Sequence, residues 1–207
     1  MALNFANNSS LANITVLPAS ITGGALTLIS SQTASASASL EFSMDSTYDS
    51  YVFKFINIHA GTRGDYALSI NFSTDNGSNY NVSKISTHFR TYHAEDDGGG
   101  TLTYDTARDS AGGLTTSDIK ISNSQTDTDD NHSASGYLQL FNPSSSVYVK
   151  HFISNISEVG YTGGGTGSEI QTLVAGYGNT TSPITNIRFA MSSGNIDDGI
   201  IKMYGVA

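Results

Sequence analysis

Residues 66–72 read Tyr-Ala-Leu-Ser-Ile-Asn-Phe, and they are followed by Thr74-Asp75-Asn76-Gly77. Strict alternation of apolar and polar side chains over such a length is typical of a half-buried β-strand. The Asn-Gly pair after it is a strong hairpin signal. We therefore predict a strand over 66–72, a tight turn, and a returning strand over 80–87.

The same period of two recurs along most of the chain. Residues 51–58 carry apolar side chains of both parities, which predicts a central strand covered on both faces. We expect further strands at 25–30, 35–42, 136–141, 147–156, 169–177, 184–191 and 199–206, with weaker ones near 102–104 and 119–121. No stretch keeps a helical period over three turns. The predicted fold is all-β, an antiparallel β-sandwich that is jelly-roll-like.

The length of 207 residues suits one large β domain better than several domains. Residues 1–24 differ from the rest, since they are rich in Asn, Ser and Ala and end in a Gly-Gly pair. We predict an N-terminal arm or lead-in strand over 1–24, hinged at the glycines, and a β-sandwich domain over 25–207. A frayed terminus is the alternative for the first segment.

Composition argues against several function classes. The net charge is -9 and the nine Lys and Arg residues are scattered, which disfavours nucleic-acid binding. The chain has no Cys, so disulfides, zinc-thiolate sites and thiol catalysis are excluded. No stretch has the apolar length of a transmembrane helix, and the N-terminus does not resemble a signal peptide. We expect a protein made in a cytoplasm, with no membrane partner.

Two acidic segments are candidates for metal binding. Asp127, Asp129 and Asn131 place oxygen ligands at alternate positions, as at the start of a calcium loop. His132 stands where such a loop needs Gly, and Leu138 where it needs Glu, so we expect a solvated loop, with calcium as the alternative. His93, Glu95 and Asp97 could share one side of an extended segment, but the glycines at 98–100 favour a flexible loop.

No motif of known catalytic spacing is present. The serine-rich runs lack the G-x-S-x-G elbow, and the five His residues lack paired spacing such as H-E-x-x-H. The carboxylates are plentiful, but nothing in the sequence pairs two of them as a glycosidase needs. We expect His151 to pack beside a strand rather than to act in catalysis. The prediction is a protein that is not an enzyme and that needs no cofactor.

Several segments together resemble a known class of proteins. They are residues 25–35, 49–55 (DSYVFKF), 140–145 (LFNPSS), 148–152 (YVKHF), 189–196 (FAMSSGNI) and 199–205 (GIIKMYG). Between about 25 and 206 the chain is similar to small virion structural proteins of tailed bacteriophages, especially those of aquatic bacteria. The resemblance implies a part of a virus particle, either a capsid decoration (cement) protein or a component of the tail or fibre.

The first of these roles sets our expectations about partners. A decoration protein would bind the major capsid protein and itself, as a homotrimer, and it would be located in the virion. The segments that we expect to make contact are 1–24, 93–100 and 161–167, and the partner-binding candidates are Phe5, Leu11, Ile14, Val16, Tyr161 and Tyr177. The alternative role, a tail or fibre module that binds a host-surface glycan, would use tyrosines such as Tyr161 and Tyr177.

Overall fold

The computed structural model describes residues 26–206, apart from residues 63, 65, 111, 124–131 and 162–166. These described residues form twelve β-strands and no helix. In chain order the strands are β1 (Thr27–Thr33), β2 (Leu40–Ser43), β3 (Ser50–Ala60), β4 (Leu68–Ser73), β5 (Lys84–Ala94), β6 (Gly100–Tyr104), β7 (Ile119–Lys120), β8 (Ala134–Phe141), β9 (Lys150–Tyr161), β10 (Gly167–Gly178), β11 (Asn186–Met191) and β12 (Ile196–Val206).

The strands form two antiparallel sheets. The larger has eight strands in the order β1-β12-β3-β8-β9-β10-β5-β6, and the smaller has four in the order β2-β11-β4-β7. From β1 to β4 each connection carries the chain from one sheet to the other, and the same holds from β10 to β12. The prediction of an all-β antiparallel sandwich is confirmed.

Aromatic side chains hold the two sheets together. Phe53 and Phe55 of β3 meet Phe189 of β11, with ring centroids 5.2 and 5.3 Å apart. Phe42 of β2 lies edge-on to both Phe53 and Phe189. Phe72 and Phe152 make a second cross-sheet contact, at 5.8 Å, between β4 and β9. Edge-to-face pairs of this kind are stabilising beyond the area that they bury.

The predicted hairpin after residue 72 is wrong in its second half. Asn76 and Gly77 adopt positive φ angles of 58° and 83°, so the tight turn is there. The chain then leaves the sheet, because β4 pairs with β11 and β7, while β5 starts only at Lys84 and lies in the other sheet. The Asp75 carboxylate accepts hydrogen bonds from Asn79 and Ser73, and such local bonds compete with a strand ladder.

Strand β3 is central, between β12 and β8, as its sequence predicts. The expectation that both its faces are covered holds only in part for the second face. Phe53 and Phe55 are buried on the first face, whereas on the second Val52 is buried but Lys54 and Ile56 are exposed. Sequence alternation cannot distinguish a covered apolar face from one that is left open to solvent.

The other strand predictions differ mainly at their ends. The segment 35–42 contributes only β2, from Leu40, and β9 begins at Lys150, which leaves Val147 and Tyr148 exposed in the preceding loop. The glycines at 98–100 belong to the turn and first residue of a β5–β6 hairpin, in which the Ala94 N–H donates to the Gly99 carbonyl. The predicted arm, 1–24, lies outside the described residues.

We predict that Phe189→Ala lowers the free energy of unfolding by about 3–5 kcal/mol, because the ring is fully buried among three phenylalanines. Urea denaturation measures the change. Phe89→Ala is the matched control, since that ring is 42% exposed. Equal losses in the two variants would contradict the assignment of the core.

Candidate functional site

The face of the eight-stranded sheet that points away from the smaller sheet, here called the outer face, is not covered by another strand in the described part of the chain. One row of residues crosses it in continuous register from β12 to β6. Its members are Lys202, Lys54, Tyr137, Asn155, Leu173, Phe89 and Tyr104. The row passes from two cations on β12 and β3 to apolar and aromatic side chains on β10, β5 and β6.

Large apolar side chains on this face remain in contact with solvent. Leu173 is 45% exposed, Ile153 46% and Phe89 42%. Tyr137, Tyr104 and Ile56 are exposed to a comparable degree. Contiguous apolar surface is rare on monomeric soluble proteins and usually marks an interaction site.

A groove of about 690 Å³ lies at one end of the outer face. Its floor is formed by small side chains, Ala175 of β10 and Thr87 of β5, which are direct partners in the sheet. Larger side chains from neighbouring positions surround it, and Asp109, Ser110, Gly112 and Gly113 line one side. The walls include Ile85, Tyr104, Phe141, His151, Ile153 and Tyr177. The volume falls in the range of about 300–1,000 Å³ that small-ligand pockets have.

The polar groups of the groove are aromatic and acidic. His151 and Tyr177 are cross-strand partners whose ring centroids lie 5.8 Å apart. The Tyr104 hydroxyl donates to the Asp109 carboxylate at 2.7 Å, and this bond raises the pKa of Tyr104. Aromatic rings beside hydroxyl and carboxylate groups form a surface that can stack on a flat ligand and hydrogen-bond to its edge.

Beneath the same strands lies a buried polar cluster. Glu158 of β9 is 1% exposed, and the Asn123 backbone N–H donates to its Oε1 atom. Burial raises the pKa of Glu158 to about 7, although the Asn123 bond opposes the shift. His88 of β5 is fully buried as well, with Nε2 3.2 Å from the Ser122 carbonyl, and burial lowers its pKa.

Two arginines neutralise the acidic part of this cluster. Asp105 forms ion pairs with both: its Oδ2 atom lies 3.2 Å from Arg90 Nε and 3.3 Å from Arg108 Nη1. Arg90 also donates to the Asn123 side chain at 2.9 Å. The Asp105 carboxylate is thus paired within the protein, whereas Glu158 Oε2 and His88 Nδ1 have no hydrogen-bond partner among the described residues. The paired contacts anchor Asp105, Arg108 and Asn123 beneath β5 and β9.

The structure places one of the predicted contact residues in the groove. Tyr177 forms part of its wall, beside His151. Tyr161 ends β9, and its side chain is outside the described part of the chain. The remaining candidates also lie outside the described residues; they are Phe5, Leu11, Ile14 and Val16 of the arm, and Asp127, Asp129 and Asn131 of the possible calcium loop.

Of the second set of candidate metal ligands, His93, Glu95 and Asp97, only two side chains lie close together. His93 Nε2 is 3.5 Å from Asp97 Oδ1, whereas the Glu95 carboxylate lies against Gly167. Within the ranges given above, no three His, Asp or Glu side chains converge as metal ligands. His151 lies exposed on the outer face of β9, with its ring beside that of Tyr177.

Sequence reasoning did not identify the groove. Tyr104 and Asp109 come from one segment, His151 and Tyr177 come from two others, and no local pattern links the three segments. The sequence pattern of β5 points the wrong way for the buried cluster, because Ile85 and Phe89 have the apolar parity and predict that His88 faces solvent. The structure instead buries Lys84, Ser86 and His88 and exposes Phe89, so the cluster could not be found from the sequence.

No match was found among known proteins. Neither a family model, nor a curated protein, nor a solved structure is significantly similar to this chain. In the described ranges there is also no helix with the length and apolar character needed to span a bilayer. Function must therefore be argued from the geometry of the outer face, the groove and the strand order.

We predict that Glu158 makes the protein less stable as pH rises from about 4.5 to about 7. The folded state keeps the carboxyl protonated up to its raised pKa, while the unfolded chain ionises at the ordinary value near 4.5. The loss over that window is roughly 3 kcal/mol, and it is complete above about pH 7. Urea denaturation across the pH range measures it.

Glu158→Gln should flatten this part of the profile, because an amide does not titrate. Glu41→Gln is the matched control, since Glu41 lies exposed on β2. If wild type and Glu158→Gln gave parallel profiles between pH 4.5 and 7, the buried carboxyl would not be the group responsible.

Proposed function

We propose that this chain is a virion structural protein, and that it acts as a capsid decoration (cement) protein that binds and stabilises an assembled shell. The observation that carries the proposal is the outer face, where Ile153, Leu173 and Phe89 stay exposed in a continuous sheet surface. Such a face suits a protein whose final state is an assembly rather than a free monomer.

The strand order supports a capsid-type fold. Without the added hairpin strands β5, β6, β9 and β10, the first strand pairs with the last, β2 with β11, β3 with β8, and β4 with β7. This nesting of eight strands in two sheets is the arrangement expected of a jelly roll, a fold that virus capsid and lectin domains use. We infer that the chain is a jelly roll whose larger sheet is extended by β9, β10, β5 and β6.

The outer face carries opposite charges that suit a head-to-tail contact between copies, as a cyclic homotrimer would need. Lys54 and Lys202 lie on β3 and β12, and Glu169 lies on the outer side of β10. A head-to-tail contact would place the cations of one copy against the acidic side of the next. Such a contact closes into a ring when the rotation between copies is one third of a turn.

The mechanism of stabilisation is mass action. A protein that binds the assembled shell and not its dissociated subunits shifts the equilibrium towards the shell by an amount that grows with its concentration. The partners in this account are the major capsid protein and further copies of this chain. No catalytic step and no cofactor are needed, and binding would occur in the virion after synthesis in a host cytoplasm.

We predict that Leu173→Asp weakens self-association at least about 30-fold, because a carboxylate at the centre of the outer face removes a contact worth about 2 kcal/mol. Sedimentation velocity over a range of concentrations measures the effect. Val147→Asp is the control, since Val147 is 66% exposed in the loop before β9. A wild-type chain that stayed monomeric at every concentration would refute assembly through this face.

The groove favours a second role, that of a tail or fibre module that binds a host-surface glycan. Tyr104, Tyr177 and His151 offer rings for stacking on a sugar, and Asp109 offers a hydrogen-bond acceptor. The two proposals differ in what covers the groove. In the decoration role a neighbouring copy of the chain can cover the groove. In the glycan-binding role the groove must stay open to the ligand.

For this second role we predict that Tyr177→Ala weakens glycan binding about tenfold, because it removes one stacking ring from the groove. A glycan array identifies the ligand, and titration calorimetry then compares the variants. Tyr148→Ala is the matched control, since that ring is 69% exposed and is not part of the groove wall. Undiminished binding by Tyr177→Ala would exclude the groove as the glycan site.

A further inference from the structure

A buried lysine and a buried asparagine are in direct contact where the two sheets meet. Lys84 is the first residue of β5 in the larger sheet, and Asn71 lies on β4 in the smaller one. Neither is exposed by more than 1%, and the Lys84 Nζ atom lies 2.6 Å from Asn71 Oδ1. Since a C=O bond is about 1.2 Å long, the Asn71 Cγ carbon is within about 3.8 Å of the amine.

The side-chain amide of Asn71 is held on all sides. Its Oδ1 atom accepts a hydrogen bond from the Phe72 backbone N–H at 2.9 Å, in addition to the lysine. Its Nδ2 atom donates to Asp118 Oδ1 at 2.7 Å and to the Thr116 carbonyl at 3.1 Å. An N–H aimed at the carbonyl oxygen stabilises the negative charge that develops there when a nucleophile attacks the carbon.

The amine of Lys84 is placed and prepared for such an attack. Besides Asn71 it contacts the carbonyls of Val82 and Thr116, at 3.1 and 3.3 Å, so its position is fixed. Burial lowers its pKa to about 8, although the charge of Asp118 opposes the shift and that of Arg188 assists it. A measurable fraction of the amine is therefore neutral near neutral pH, and only the neutral form is a nucleophile.

Asp118 lies beside the atom that would have to leave. Its Oδ1 atom contacts both Asn71 Nδ2 and the Arg188 guanidinium, the latter at 3.0 Å. A carboxylate in this position can accept a proton from the attacking amine and deliver it to the departing nitrogen. The three side chains thus provide a nucleophile and an electrophilic carbon, both buried, and a proton carrier at the edge of the site that is about 31% exposed.

We propose that Lys84 and Asn71 form an intramolecular isopeptide bond, with Asp118 as the acid and base that transfers the proton. The neutral Nζ atom attacks Cγ of Asn71, and a C–N bond forms. One proton passes from Nζ through the Asp118 carboxylate to Nδ2, the Cγ–Nδ2 bond breaks, and ammonia leaves. No electron is transferred, and no cofactor or external reactant is consumed.

The bond would be a covalent link between the two sheets of a protein that has no Cys to form one. It would close a loop from residue 71 to residue 84, which includes the Asn76-Gly77 turn. A cross-link of this kind suits a protein that must withstand conditions outside a cell. Because the reaction needs the folded geometry, the unfolded chain would not form the link.

Intact-mass spectrometry of the full chain tests the proposal. The expected mass is lower than that of the sequence by one ammonia, about 17 Da. Because an acylated lysine resists trypsin, residues 64–90 should appear as one peptide instead of as 64–84 and 85–90. Asp118→Asn should slow formation about 100-fold or more, so that most freshly folded chains keep the full mass.

Two control variants distinguish the isopeptide bond from other losses of ammonia and from a role of the other buried lysine. The Asn76-Gly77 pair can also lose ammonia by forming a backbone succinimide, so the mass shift must persist in Asn76→Gly, which tolerates the positive φ. Lys150→Met must keep the shift too, because Lys150 is equally buried but donates to three backbone carbonyls instead of to an amide side chain.

Wild-type protein alone can contradict the isopeptide proposal. Folded wild-type chain would be incubated at a pH one unit above the pKa of Lys84, where the amine is mostly neutral. If it retained the full sequence mass and released Lys84 to trypsin, Lys84 and Asn71 would form a hydrogen bond and nothing more. Lys84→Met and Asn71→Ala should both show the full mass, which assigns the two ends of the link.

Discussion

The contact between Phe189 and the two phenylalanines of β3 is the interaction on which the rest of the structure depends. It joins a central strand of the smaller sheet to a central strand of the larger one, and the outer strands pack around that pair. With no disulfide available, the sandwich relies on this packing, and on any further link across the sheets, to keep its two layers in register.

The strands that extend the larger sheet, β9, β10, β5 and β6, differ from the rest because they bury ionisable side chains as well as apolar ones. Under β5, β9 and β10 the inward side chains include Lys84, His88, Lys150 and Glu158, all of them buried. Buried ionisable groups are costly, and here each has at least one hydrogen-bond partner. Lys84 donates to Asn71 of β4, and the partners of the other three lie in loops. Other apolar residues of the extension, Ile153, Leu173 and Phe89, stay exposed on its outer face, where a partner can reach them.

The sequence predicted the parts of the fold that depend on local pattern. The inward parity of Leu68, Ile70 and Phe72 and the turn at Asn76-Gly77 are both as expected. The partners of β4 were not predictable, because they come from β11 and β7, far along the chain, and no local rule selects between them. Tyr177 could be predicted as a contact residue from its residue type alone. The groove around it could not be predicted, because its walls come from segments that are far apart in the sequence.

Immunoelectron microscopy of purified particles, with an antibody to this protein, tests the assignment to a virion most directly. The account predicts label spread evenly over the head, as expected for a decoration protein bound to a shell lattice. Label confined to the tail would transfer the assignment to the glycan-binding alternative. Particles that carried no label at all would contradict the virion assignment itself.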